Sequence, residues 1–381
     1  MFKQLGAMYI ILGTCIAAGL LGLPIVTAYG QYSLTFLMVI SAWLLMSAGA
    51  WCLLKVNLWL PPESNLISMS EATLGKTVKA ITWVVYLLLL YSLICAYLAA
   101  TSDVLKALLG AVHIDIPRAL STLLGAFLIG AVVYHGIRSV DLVNRVLMSV
   151  KLFICIAVIA FVAPHVDVQR LAMGNMAWHG NVWLVIICAF GYAIILPSIR
   201  VYLNSNEKQL SRVVLIGSLI PMIVYLLWIA VIQGALPREG ANGLIAMSAS
   251  ADTNSMLMMQ LVAISHHTIL KSMSVVFISI CSITGLLGVS LCMVDFLADG
   301  LKKTKQGKTK LGLVALTFVP GVLIILFHPA FFIGALAYAG FFCLYILVGL
   351  PIAMYIAGRV KGFGKKEMPL EKESNAMLAE P

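Results

Sequence analysis

Long apolar runs separated by short polar connections dominate the chain. Runs long enough to cross a hydrocarbon core of ~30 Å, about 20 residues each, fall near 5–28, 33–58, 80–103, 119–136 and 144–164. Five more fall near 182–203, 213–236, 268–298, 311–327 and 331–357, the ninth being short and turned into the tenth by "FHPAFF". Segments of this length and uniformity predict ten spanning helices, an all-α integral membrane protein. Three connections are longer than the rest, 59–79, 237–267 and the polar tail from 358. None is long enough for a soluble domain, and the tail reads as disordered, its lysines close to anionic lipid headgroups.

Composition agrees: of 381 residues, 62% are hydrophobic and 10% charged, with a mean hydropathy of +1.03. The net charge of +10 reports topology rather than an anionic partner, since no soluble basic face interleaved with aromatics exists for nucleic acid. With the N-terminus inside, 19 lysines and arginines fall on the cytoplasmic side and 5 on the other, Lys151 standing apart within a span. Both termini are therefore expected in the cytoplasm. No short apolar stretch with a cleavage site opens the chain, so the first run reads as a retained span. The eight cysteines form no C-x-x-C pair and read as small apolar packing residues. The histidines sit in loops or at span ends, which argues against a membrane enzyme, a metal centre or a cofactor.

Two spans contain residues a helix does not favour. The first reads "GTCIAAGLLGLP", with Gly13, Gly19 and Pro24, and the sixth reads "FGYAIILPS", with Gly191 and Pro197. Interior Gly costs a helix about 1 kcal/mol and interior Pro about 3 kcal/mol. Broken segments at corresponding places in two halves point to an inverted-repeat transporter with a midplane site. The division is five spans in 1–164, five in 165–357, and a cytoplasmic tail at 358–381. Small residues also permit close helix packing, which explains the first run equally well when taken alone.

A break frees amides at one half-helix N-terminus and carbonyls at the other's C-terminus, a pairing that suits a zwitterion. The expected substrate-binding residues on the first span are Gly13, Thr14, Cys15, Ala17, Ala18 and Gly19, and on the sixth Ala189, Phe190, Gly191 and Tyr192. Amides of 17–19 would hold a carboxylate, and carbonyls near Gly13 and Ala189 an ammonium. Tyr91 and Tyr97 on the third span and Tyr338 on the tenth are candidates to close over a substrate, although each also fits as a packing aromatic.

Lys151 lies ten residues beyond Asp141 and thirteen before Pro164, roughly 15 Å from the cytoplasmic end at ~1.5 Å per residue. An ionisable group at that depth is a functional-site candidate. Burial disfavours its charged form, so it can give up and regain a proton as its surroundings change. Snorkelling or helix capping is the structural alternative. Asp295 and Asp299 end the eighth span, where either can pair with Lys3 as an inner gate or stand as a solvated helix end.

The sequence resembles the hydroxy and aromatic amino acid permeases, a branch of the amino acid-polyamine-organocation superfamily that includes tyrosine- and tryptophan-specific permeases. The resemblance runs from about residue 5 to 350 and rests on "GTCIAAGLLGLP", Tyr91 and Tyr97, "DLVNR" with Lys151 downstream, "FGYAIILPSI", "IGSLIPMIVYLLW", "DFLAD" and "AYAG". It implies two inverted five-helix repeats, uptake across the bacterial inner membrane, and coupling to the proton gradient. It also implies that a fifth-span lysine stands where other members bind sodium between spans one and eight, with Ser279, Ser282 and Thr284 as neighbours. Ala17 replaces a second glycine usual in the family, the usual eleventh span has no counterpart, and Ala193-Ile194-Ile195 replaces a more polar triplet. The aliphatic triplet favours an apolar or aromatic side chain, since an unpaired buried hydroxyl costs roughly 1–3 kcal/mol. Tryptophan and phenylalanine then stand beside tyrosine as substrates, unless these isoleucines face neighbouring helices. The expected partners are an amino acid, a proton and the bilayer. An amino acid sensor of the same fold and an exchanger remain alternatives to proton symport.

Overall fold

A computed structural model describes residues 2–62, 64–135, 137–177, 179–264, 268–304 and 306–363. The side chains of Ala18, Arg138, Asp141, Asn144, Arg145 and Lys271, together with His266, His267, Lys305 and the tail from 364, lie outside the described residues. The helices run α1 (Phe2–Cys15), α2 (Ala18–Val26), α3 (Tyr32–Trp59), α4 (Leu66–Leu74), α5 (Lys76–Ala111), α6 (Arg118–His135), α7 (Ile137–Val162), α8 (Val168–Leu171) and α9 (Gly180–Ala189). They continue as α10 (Leu196–Tyr202), α11 (Glu207–Ala235), α12 (Leu244–Ser248), α13 (Thr253–Ile264), α14 (Thr268–Gly300), α15 (Gly307–Phe327), α16 (Phe332–Leu344) and α17 (Leu350–Val360).

Among the described residues, nine helical segments are long and apolar enough to cross a membrane, and there are ten if α1 and α2, bent by 51°, are counted as one span. All ten apolar runs of the sequence are thus helical. Gly6 lies against Tyr202, Arg200 donates to Leu60, and Trp59 stacks on Phe363, so both described ends of the chain lie toward one end of the bundle, here called the terminal face. α5 is longest, 36 residues or about 54 Å at ~1.5 Å per residue, so it projects beyond a ~30 Å core. Short α4 begins with a reciprocal cap: Asn65 Oδ1 accepts from the Ser68 amide and Ser68 Oγ accepts from the Asn65 amide.

The two expected breaks differ. In the first span, Ile16 and Ala17 interrupt the helix outright. In the sixth, α9 and α10 are joined by a 3₁₀ turn, Gly191–Ile195, and the segment runs as one span, Gly180–Tyr202. Pro197 lies in the first turn of α10, where its missing N–H is one the helix leaves unpaired anyway. Pro24 lies in the last turn of α2, where carbonyls have no intrahelical donor, and it is met from the seventh span: Gln233 Nε2 donates to Pro24 O at 3.2 Å and to Thr27 Oγ1 at 2.8 Å.

The packing is reciprocal between the two sets of five. Span three lies against span eight, span two against seven, and span four against nine (α5 with α14, α3 with α11, α6 with α15). Span three also packs on span ten, as eight packs on five, and span one packs on seven, as six packs on two. Glycine sets the closest approaches. A Cβ at Gly340 on α16 would stand 1.9 Å from the Leu184 carbonyl oxygen of α9, and one at Gly49 on α3 would stand 2.0 Å from Leu347 O. Backbone cannot swing aside as a side-chain tip can. Gly340→Ala is therefore expected to destabilise the fold by about 1–3 kcal/mol, read as a lower thermal midpoint of the detergent-solubilised protein. Gly312→Ala, whose added carbon meets nothing within 4 Å, should not lower the midpoint, alanine being the better helix former.

Candidate functional site

At the first break α1 ends at Cys15 and α2 begins at Ala18. The first amides of α2, those of Ala18 and Gly19, have no intrahelical partner, and the last carbonyls of α1 and α9 lack theirs. Ala17 adopts φ −137°, ψ −161°, extended backbone open to any L-residue, so the turn does not require glycine there.

A cavity of about 990 Å³, its open mouth included, begins at these breaks. Gly13, Thr14 and Ala17 of the first span, Gly191 of the sixth, Tyr97 of the third and Thr284 of the eighth line its deep end. Leu89, Leu90, Val289 and Leu347, with Met148 and Cys292, carry it toward the terminal face, and Ile194 and Ile195 also line it. On the far side of the breaks Leu20, Leu21, Phe190, Trp228 and Phe277 are fully buried. The cavity therefore opens toward one face and is closed toward the other. Apart from Thr14, Tyr97, Lys151 and Thr284, its lining side chains are apolar or thiol.

Lys151 of α7 is 1% exposed and lines the cavity at the break. Its Nζ donates to Gly13 O at 3.4 Å and to Thr284 Oγ1 at 3.5 Å. Thr284 in turn donates to Ile280 O at 2.7 Å, leaving lone pairs for the amine. Ser279 and Ser282 bond to Val275 O and Ile278 O of their own helix, so of the three expected neighbours only Thr284 meets Lys151.

The other sequence candidates divide by helix face. Cys15, Phe190 and Tyr192 are buried behind the cavity wall, as are Ala189, whose carbonyl is bonded by a tyrosine hydroxyl, and Gly19, which packs on Ala189. Tyr91 is six residues from Tyr97, about 120° around the helix, and donates to Leu316 O of α15 at 2.8 Å. It does not reach the cavity. Tyr338 is 57% exposed with its ring 5.9 Å from that of Phe331, on the side of α16 away from Cys343, which does line the cavity. Lys3 and Asp299 are exposed and Asp295 is half-buried. Among the described residues no ion pair joins Lys3 to either aspartate. Three cysteines expected only to pack, Cys188, Cys292 and Cys343, line the cavity.

Three polar residues not singled out from sequence hold the surroundings. Tyr225 of α11 is fully buried and its hydroxyl lies 2.8 Å from Cys15 O and 2.7 Å from Ala189 O. Arg200 caps α3, donating to the carbonyls of Asn57 and, at 2.9 Å, Leu60. Asp103 of α5 accepts the first amides of α13, Asn254 at 2.6 Å and Ser255 at 3.0 Å. The available signal was general: a hydroxyl or charge in an apolar run must find a partner.

Interrupted spans meeting at a one-sided cavity, with a buried amine at the break, define a membrane transport protein rather than an enzyme. The chain belongs to the Tryptophan/tyrosine permease family, whose profile matches residues 2–368. It is 31% identical over 93% of its length to "Tyrosine-specific transport system 1" of Haemophilus influenzae, covering 88% of that protein. It is 27% identical to "Tryptophan-specific transport protein" of Pseudomonas aeruginosa, over 94% of this chain and 87% of the relative. A third relative, 24% identical over 94% of this chain and 90% of its own, is "Glutamine transporter 2" of Aliivibrio fischeri.

The Tyr97 ring lies directly on Gly285, where a Cβ would stand 2.7 Å from the ring. Gly285→Ala is expected to push that ring into the cavity. The transport KM should rise about tenfold, the equivalent of ~1.4 kcal/mol, whereas Gly312→Ala on the ninth span leaves it unchanged.

Proposed function

We propose that the protein imports an aromatic amino acid across the bacterial cytoplasmic membrane by proton symport with alternating access. The observation that carries this reading is the composition of the cavity: freed backbone ends at its deep end and aliphatic walls along its length. The first suits an amino acid's zwitterionic head. The second suits a large apolar side chain, because a hydroxyl or amide there would lose its water without a partner. The names of the tyrosine and tryptophan relatives support the aromatic class, and the polar poverty of the walls weighs against glutamine.

The positive-inside distribution of lysine and arginine supports a cytoplasmic terminal face, and the cavity then belongs to an inward-open state. The exchange of packing partners between spans one to five and six to ten supports two inverted repeats, 1–164 and 165–357. Lys151 is the proposed proton carrier. Its Nζ faces two acceptors, Gly13 O and Thr284 Oγ1, and a change in that set would change its hold on a proton. Rocking of the repeats would give the amine a fuller set of partners or water, and hence its proton. Thr284 is the partner on span eight. Lys3, Asp295 and Asp299 are the proposed inner gate, opposite charges that closure would bring nearer.

Proteoliposomes loaded with wild-type protein should accumulate tyrosine, tryptophan or phenylalanine when the external pH is lowered. Lys151→Ala should lose that accumulation and keep part of the exchange of internal for external amino acid. Uphill accumulation by this variant at the wild-type level would overturn the role of Lys151. Binding without accumulation by the wild type would favour a sensor, and uptake that needs preloading and ignores pH would favour an exchanger.

A further inference from the structure

Cys15 ends the first half of span one and Ala189 the first half of span six, so each carbonyl belongs to the negative end of a helix dipole. Two such ends repel in a medium of low dielectric. Here they converge on one phenol: Tyr225 Oη lies 2.8 Å from one oxygen and 2.7 Å from the other. A phenol carries a single proton. It serves two carbonyls at once, one of which, Cys15 O, also accepts the Ala17 amide at 2.9 Å. The ring is fixed as firmly as the hydroxyl, buried completely and edge-on to Phe190 with centroids 5.0 Å apart.

We propose that Tyr225 is the positioning residue that ties the two breaks together, so that the first and sixth spans present their backbone to a substrate as one preformed unit. It does not line the cavity. It acts through neighbouring residues that do, Thr14 and Ala17 at one break and Cys188 and Gly191 at the other. Without its hydroxyl, two carbonyls face each other with no donor between them, and the breaks relax apart. A substrate must then order both breaks on binding, which weakens affinity. The effect on substrate rests on the site reading above, whereas the tie between the breaks stands without it.

The test is Tyr225→Phe in full-length protein reconstituted in lipid nanodiscs, with Tyr225→His as the variant that keeps a ring donor. Without substrate, hydrogen exchange of amides in 14–20 and 189–195 should quicken roughly tenfold in the phenylalanine variant, about 1.4 kcal/mol, and less in the histidine variant. Amides of α5 and α14 should be unchanged. In proteoliposomes the KM for the aromatic amino acid should rise about tenfold with kcat within about twofold, again partly restored by histidine. Unchanged exchange at either break overturns the proposal, as does acceleration spread evenly over the bundle or equal loss in both variants. Faster exchange at both breaks in a protein whose wild type moves no aromatic amino acid leaves the tie standing and removes the substrate reading.

Discussion

A helix interrupted inside a bilayer exposes backbone donors and acceptors that no water meets, and protein must meet them instead. Much of this bundle is arranged around that constraint. The Gly13 carbonyl receives Lys151 from span five, the Cys15 and Ala189 carbonyls share Tyr225 from span seven, and the Pro24 carbonyl receives Gln233 from the same span. Each donor is a polar group that a spanning helix otherwise has reason to avoid. The same rule operates at the ends: Arg200 meets the last carbonyls of α3, and Asp103 the first amides of α13. The amides opening α2 have no partner within their own helix, and in the proposed site a ligand carboxylate uses them.

Closure of one face and opening of the other follow from where these partners sit. Away from the terminal face, α12 packs on α2 and α13 on α5 and α14, Arg118 pairs with Asp252 at 2.9 Å, and Arg238 donates to Gly30 O at 2.9 Å. The connection between spans seven and eight is thereby bound to spans one, three and four. Toward the terminal face the short helix α4 packs on α5 and α17, and the cavity walls there include Met148 and Leu89. Rocking between the two states must exchange one set of contacts for the other. The buried carboxylate of Asp103 is the costliest group to release, since uncovering the α13 amides without a substitute leaves charge and dipole unpaired.

The ten spans were legible because lipid imposes length and uniform apolarity, and no other fold offers that pattern. The breaks were legible because Gly and Pro at mid-depth are unfavourable without a use, and Lys151 because charge at that depth is rarer still. Helix faces were not. Tyr91 and Tyr97 look equivalent in sequence, yet six residues of rotation send one to the ninth span and the other to the cavity. Apolar spans have no amphipathic stripe from which to read the inward side. Tyr225 was hidden for the same reason: its partners are backbone atoms 36 and 210 positions away, and backbone leaves no mark in the sequence.

The two breaks also proved unequal in a way that Gly and Pro spacing could not reveal. Span one is cut by two non-helical residues and bent by 51°, whereas span six passes through a five-residue 3₁₀ turn. A 3₁₀ turn keeps i→i+3 bonds, so fewer of its backbone groups are free. At the proposed site span one then supplies most of the backbone, and span six chiefly the aliphatic wall of Ile194 and Ile195, its Ala189 carbonyl being held by Tyr225. This asymmetry gives Ala17 its importance. Its extended backbone would accept any residue, but it lines the cavity beside the first amides of α2, so in the proposed site a larger side chain here would hold a carboxylate farther from them.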